Sequence, residues 1–238
     1  MSLLRCNLVL CLAGCVLSFS AQAKKWVYSP RVTEGEVETS YYIDAYRGAS
    51  GKVSNSQELE LEYGLSSRDK AAFYLVDGHR PGAVSEAAWK IEWIHDFSVQ
   101  DSPNGIGLYV EYRQARNQVD TIEVKPLYET WFSERTVRMR LNAEFEREIG
   151  GGAESGTEVG YAASVALKRR PNLTPSLELY GTLGEVGSIR SVDEQSHLAG
   201  AAVDIELMEG LKWHMGGLFG LTSGSEDWRI KGQLSMEW

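Results

Sequence analysis

The chain has 238 residues, 43% of them hydrophobic and 24% charged, with a formal charge of −9. That balance excludes disorder, and no stretch beyond the N-terminus approaches the roughly 20 uncharged apolar residues of a spanning helix, which excludes a helical membrane transporter. An acidic chain also lacks the basic face with which nucleic-acid binders displace counterions from phosphates.

At the N-terminus, Arg5 precedes an apolar run from Leu8 to Phe19, then Ala21-Gln22-Ala23 ahead of Lys24-Lys25. The small-x-small ending predicts a secretory signal over residues 1–23, removed after Ala23. Cys6, Cys11 and Cys15 all lie inside it, so the mature chain relies on no disulfide. Leu12-Ala13-Gly14-Cys15 also resembles a bacterial lipoprotein box, which would make Cys15 a lipidated first residue; the very short apolar segment before it favours the Ala23 site. Residues 24–34 read as a periplasmic N-terminal segment.

From there the dominant signal is alternation with period two, the pattern of strands with one apolar and one polar face. In residues 57–65, Leu59, Leu61, Tyr63 and Leu65 oppose Glu58, Glu60, Glu62 and Gly64; in the last segment Trp228, Ile230, Gly232, Leu234, Met236 and Trp238 oppose Arg229, Lys231, Gln233, Ser235 and Glu237. Extending the template predicts about twelve strands, at 36–47, 56–65, 70–77, 86–97, 105–115, 120–132, 135–147, 157–168, 173–183, 197–207, 211–222 and 227–238. Residues 86–94 and 135–148 also suit a helix, since Val137, Leu141 and Phe145 fall at i, i+4 and i+8; clean alternation decides for strands. Pro126 interrupts the sixth strand and implies a bulge or kink there, because proline donates no ladder hydrogen bond. Turn formers such as Gly48-Ala49-Ser50-Gly51 and Ser223-Gly224-Ser225 mark the connections.

An alternating chain can build a soluble sandwich or a membrane barrel. Aromatics on the apolar face near strand ends, Tyr41, Tyr63, Trp89, Trp93, Tyr128, Phe132, Trp213, Trp228 and Trp238 among them, favour the barrel, because such rings suit a membrane–water boundary. The predicted fold is an all-β, transmembrane, antiparallel up-and-down barrel over residues 35–238, with both termini in the periplasm. Connections near Ser66–Asp69, Ser133–Arg135 and Met208–Gly210 then form periplasmic turns, and 48–55, 78–85, 147–156 and 184–196 form external loops.

A final strand closing on Trp238 resembles the assembly signal of bacterial outer-membrane barrels, which implies the barrel assembly machinery as a partner. Tyr63-Gly64-Leu65-Ser66-Ser67-Arg68 and the closing stretch from Gly220-Leu221-Thr222 to Asp227-Trp228-Arg229 resemble the turns and terminal hairpin of the phenol-degradation meta-pathway outer-membrane proteins. That resemblance implies passage of small molecules without naming a substrate.

If the apolar face meets lipid, the alternate residues line the lumen. The candidate lumen residues are Glu58, Glu60, Glu62, Lys90, Glu92, Asp96, Glu111, Arg113, Glu129, Arg138, Arg140, Glu178, Arg229 and Lys231. Over the inward positions of all the predicted strands, acids exceed bases about twofold, which predicts a mild cation preference in a water-filled lumen; charges paired across the interior would instead fill it. The Glu58/Glu60/Glu62 row suits a cation site, a glycosidase carboxylate pair or simply an inward row neutralised by its neighbours, and spacing alone favours the last. His79, His95, His197 and His214 lack metal-ligand spacing, so no metal or cofactor is expected. Ser196-His197 and His95-Asp96 supply hydrolase residue types, yet strand neighbours point to opposite faces and no Gly-x-Ser-x-Gly elbow is present, so no catalytic residue is assigned. The functional expectation is an outer-membrane channel for small solutes. The alternatives are a closed barrel with a structural or partner-binding role and, behind it, an outer-membrane lipid hydrolase.

Overall fold

The computed structural model describes residues 25–48, 51–79, 81, 86–99, 101–116 and 118–238. The predicted leader and Cys15 lie outside the described residues. Twelve long strands form the wall: β1 (Val37–Arg47), β2 (Val53–Gly64), β3 (Asp69–His79), β4 (Glu86–Asp96), β5 (Asn104–Ala115), β6 (Asp120–Phe132), β7 (Val137–Ile149), β8 (Glu158–Leu167), β9 (Leu173–Glu185), β11 (Ser196–Met208), β12 (Leu211–Gly220) and β13 (Trp228–Glu237). A two-residue strand, β10 (Ser188–Ile189), folds back on the end of β9 within the connection to β11.

Each wall strand pairs antiparallel with its neighbour in sequence, and β13 returns to pair with β1 from Glu38↔Glu237 to Arg47↔Trp228. The sheet is therefore closed and has no free edge, which removes the aggregation hazard of unpaired strands. The ambiguous segment 86–94 is strand throughout, and 135–148 is strand from Val137 onward. Their helix-forming residues are overridden because each must supply ladder partners to two neighbours.

Of the bulge or kink expected at Pro126, the pairing shows no bulge. Pairing between β6 and β7 runs from Val124↔Phe145 to Leu127↔Asn142 with register preserved, and only the two intervening pairs are missing. On its other side Pro126 pairs with Leu108, and its ring is exposed on the outer face. The wall tolerates the lost donor locally. The irregularities lie elsewhere, at Val159/Gly160 and Glu206/Met208.

Alternation along each strand separates two environments. Leu177 is 68% exposed on the outside and Tyr74 is 0% exposed on the inside. Leu59, Leu61, Phe73, Leu75, Ile91, Leu141, Val165 and Ile230 form an exposed apolar belt. Tyr41, Tyr63, Trp93, Phe132, Trp213 and Trp238 stand exposed on the same surface, with Trp89, Tyr128 and Trp228 half-buried there. Trp89 stacks on Phe73 at 6.4 Å and meets Tyr112 edge-on at 5.5 Å.

The inner face mixes charged with uncharged residues. Tyr42, Tyr74, Tyr109, Tyr180, Ile94, Leu127, Leu198 and Leu218 are buried beside the acids and bases. The segment Lys25–Thr33, expected to lie outside the barrel, runs inside it. Apolar surface at Trp26, Val27, Tyr28 and Val32 explains this, since each packs on an inward cluster of the wall.

Candidate functional site: the lumen and its axial segment

Of the candidate lumen residues, Glu58, Glu60, Lys90, Glu92, Asp96, Glu111, Arg113, Glu129, Glu178, Arg229 and Lys231 are buried, and Glu62, Arg138 and Arg140 are half-buried. Strand alternation brings them to one interior, and closure of the sheet brings residues distant in sequence into contact. Arg229 on β13 reaches Asp44 on β1 at 2.6 Å, pairs with Glu226, and lies over the Tyr46 ring at 4.7 Å. Lys90 bridges Glu58 at 2.9 Å and Glu111 at 3.3 Å. Lys125 sits 3.0 Å from Glu123 and 3.6 Å from Glu144, with the Tyr28 and Tyr109 rings beside it. Tyr42 donates to Glu60, and the Tyr74 hydroxyl lies between Glu60 and Glu92. A buried charge is tolerated only when paired and hydrogen-bonded, so each cation here gathers carboxylates and rings around it.

The axial segment completes this interior. Lys231 joins it to the wall, its Nζ 2.6 Å from Glu178, 2.7 Å from the Tyr180 hydroxyl and 3.0 Å from the Lys25 carbonyl. An extended segment away from sheet neighbours leaves its backbone groups without ladder partners. Asn142 answers both groups of Tyr28: its Oδ1 accepts from the Tyr28 N–H at 2.7 Å and its Nδ2 donates to the Tyr28 carbonyl at 3.1 Å. Trp26 packs edge-on against Tyr42 at 5.1 Å, and Tyr28 lies tilted against Tyr109 at 4.7 Å. Farther along, the Arg31 guanidinium donates to the carbonyls of Ser102 and Asn104.

The seat for Pro30 is built by omission. A Cβ at Gly107 would lie 2.7 Å from the Pro30 Cβ, and one at Gly105 would lie 2.8 Å from its Cγ. Any other residue at these inward positions of β5 would strike the ring. Sequence reasoning missed Trp26, Tyr28, Asn142, Gly105 and Gly107. The usable signals were an apolar Trp-Val-Tyr triplet ahead of the first strand and a Gly-x-Gly pair on an inward face.

Below the segment, at the end of the barrel with the short turns, a cavity of about 450 Å³ remains, bounded by Trp26 and Tyr28 above and by the ends of β1, β2, β7, β11 and β12 around it. A more open cavity of about 760 Å³ adjoins it at the mouth and carries Arg31, Arg135, Lys168, Arg169 and Arg170.

Carboxylate oxygens gather within 4.8 Å in two groups, Glu36/Glu38/Glu237 and Glu60/Glu62/Glu92. The second group is engaged by tyrosine hydroxyls and by Lys70, which lies 2.7 Å from Glu62. His197 contacts the Tyr161 hydroxyl at 2.9 Å and Gln195 at 2.8 Å, and His95 contacts Asp69 at 2.7 Å. Among the described residues no serine hydroxyl is bonded to a histidine ring nitrogen, the arrangement a serine nucleophile needs.

No protein-family model and no curated protein matches the sequence. Among solved structures, the chain is similar to the COG4313 outer membrane channel from Pseudomonas putida F1, with a TM-score of 0.67, 13% identity and coverage of 87% of this chain and 97% of that one. It is also similar to the KdgM porin in complex with disordered oligogalacturonate (TM-score 0.60, 4% identity, 85% and 98% covered). The NanC porin is a third such structure (TM-score 0.60, 6% identity, 84% and 97% covered). These likenesses establish the fold, that of twelve-strand bacterial outer-membrane barrels.

Proposed function

We propose that this chain is exported to the outer membrane of a Gram-negative bacterium through a cleaved signal peptide and forms a channel for small solutes there, held closed by its axial segment. One observation carries the reading. The cylinder has an apolar exterior and a polar interior, and its lumen holds a segment that enters from one end and hydrogen-bonds to the wall mainly through side chains. Such a segment can withdraw without breaking a strand ladder. The channel and porin folds it shares support the reading, as do the small molecules implied by its resemblance to the phenol-degradation barrels. The acid excess of the inner face supports a mild cation preference.

Planar-bilayer recording tests the proposal. Discrete conductance steps with a modest excess of cation current are expected. Silence from both the intact chain and a form lacking the axial segment would overturn the channel, and anion-selective current would overturn the stated preference. A closed barrel with a structural or partner-binding role is the second reading, favoured by the packed charge network inside the wall, and it predicts that double silence.

The bilayer placement has its own test. Leu59 lies midway along β2, opposite Tyr41 on β1 and Leu75 on β3, and points outward. Leu59→Arg is expected to lower folding stability in lipid vesicles by about 2–4 kcal/mol, the cost of a cation near the bilayer midplane. An equally stable variant would place that face in water.

A further inference from the structure

We propose that the cavity below the axial segment selects zwitterionic solutes of amino-acid size, taking the ammonium group against one wall and the carboxylate against the other; the inference rests on the channel reading and deepens it. Opposite charges elsewhere in the lumen are intermixed and neutralise each other at contact distance. Here the charges left over after local pairing are segregated. Glu36 just before β1, Glu38 on β1 and Glu62 on β2 line one side, where Lys70 answers Glu62 and Lys212 answers Glu237; Arg138 and Arg140 on β7 with Lys168 just beyond β8 line the other, where Asp204 lies near Arg138. In a closed ring of twelve wall strands, β1 lies diametrically across from β7 and β2 from β8. The two sets therefore face each other across the lumen.

Within each wall, like charges are neighbours. Glu38 stands opposite Glu62 on one side and Glu237 on the other. Arg138 and Arg140 share the inward face of one strand. Such pairings are destabilising in a sheet, and an opposite charge brought by a ligand relieves them. Some of these groups are already engaged: Glu62 by Lys70, Glu38 by the Ser40 hydroxyl, and Arg140 by Glu129. Others are left for a ligand. Glu36 and Lys168 have no side-chain hydrogen bond or ion pair among the described residues. The buried Nε of Arg138 has no hydrogen-bond partner, and its guanidinium stands 3.8 Å from Asp204.

A simple cation meets a repelling wall on one side of this cavity and a simple anion meets one on the other. A molecule carrying both charges orients along the field and gains at both ends.

The test is isotope-labelled uptake into liposomes containing the full chain, with four solutes of similar size: L-serine, erythritol, ethanolamine and glycolate. Serine is expected to enter fastest, exceeding erythritol by about three- to tenfold, the effect of two partly solvated charge contacts. The double change Arg138→Glu with Lys168→Glu makes both walls acidic and is expected to abolish the serine advantage and favour ethanolamine. Glu36→Gln with Glu38→Gln removes the opposite wall and is expected to shift preference toward glycolate. Serine entering no faster than erythritol through the unaltered chain overturns the proposal while leaving the channel intact. A serine preference that survives both double variants overturns it as well. Entry of none of the four solutes removes the channel reading and the proposal with it.

Discussion

Removal of Lys25 to Thr33 should leave a barrel that conducts persistently, where the intact chain opens in brief steps. The segment contributes side chains to all three inward apolar clusters, with Trp26 beside Tyr42 and Tyr74, Val27 beside Tyr180 and Leu218, and Tyr28 beside Tyr109. Each buried aromatic or branched side chain is worth roughly 1.5–3 kcal/mol against exposure. Substituting Trp26→Ala alone, at roughly 3 kcal/mol, should shift the ratio of closed to open states about a hundredfold. The same losses also weaken the wall, so a change that disturbs the seat and spares the segment is the sharper probe. Gly107→Val places a side chain where Pro30 now lies, at a position where even a Cβ would come within 2.7 Å. It should raise the open fraction, as seen in single-channel records. An unchanged open fraction in both Trp26→Ala and Gly107→Val would remove the segment from the gating role.

Replacing Lys125 with methionine should cost about 3 kcal/mol of barrel stability, within the range for breaking a buried ion pair from one side. The Lys125 side chain is 1% exposed, and its ammonium is the cation that both Glu123 and Glu144 contact. Each of those carboxylates already has one buried oxygen without a hydrogen-bond partner. Loss of the lysine leaves two neighbouring acids with no counterion, and part of the penalty is relieved if one takes up a proton. The variant should unfold at lower temperature in detergent, read by heat-dependent gel mobility. Adding Glu123→Gln and Glu144→Gln to Lys125→Met should recover most of the loss, because the penalty comes from the orphaned charges and not from the missing methylenes. Failure of that rescue would show that Lys125 stabilises the lumen chiefly by packing on Tyr28 and Tyr109.

The strand pattern was legible because period two is a local property. Residues 120–132 were expected as a strand and form β6 over Asp120–Phe132, and 105–115 form β5 over Asn104–Ala115. Errors arose where a local rule met a non-local demand. Pro126 signals a break to its neighbours in sequence, yet β6 is held in register by pairs on both sides of the gap, so the ladder skips and resumes. Trp26 and Tyr28 carry no periodic signal at all, since a segment of nine residues packed along an axis obeys neither strand nor helix spacing.

The sequence by itself determined which side chains share a face, because alternate residues of an extended chain must point in opposite directions whatever the strand pairs with. From that follow the apolar belt, the charged interior and the number of wall strands. Only the tertiary structure decided which acid meets which base and what fills the lumen. Arg229 finds Asp44 because the last strand closes on the first. Glu38 and Arg138 oppose one another because half the ring separates β1 from β7. The axial segment settles against Asn142 on β7 and against Gly105 and Gly107 on β5, inward positions that two successive hairpins bring near one another.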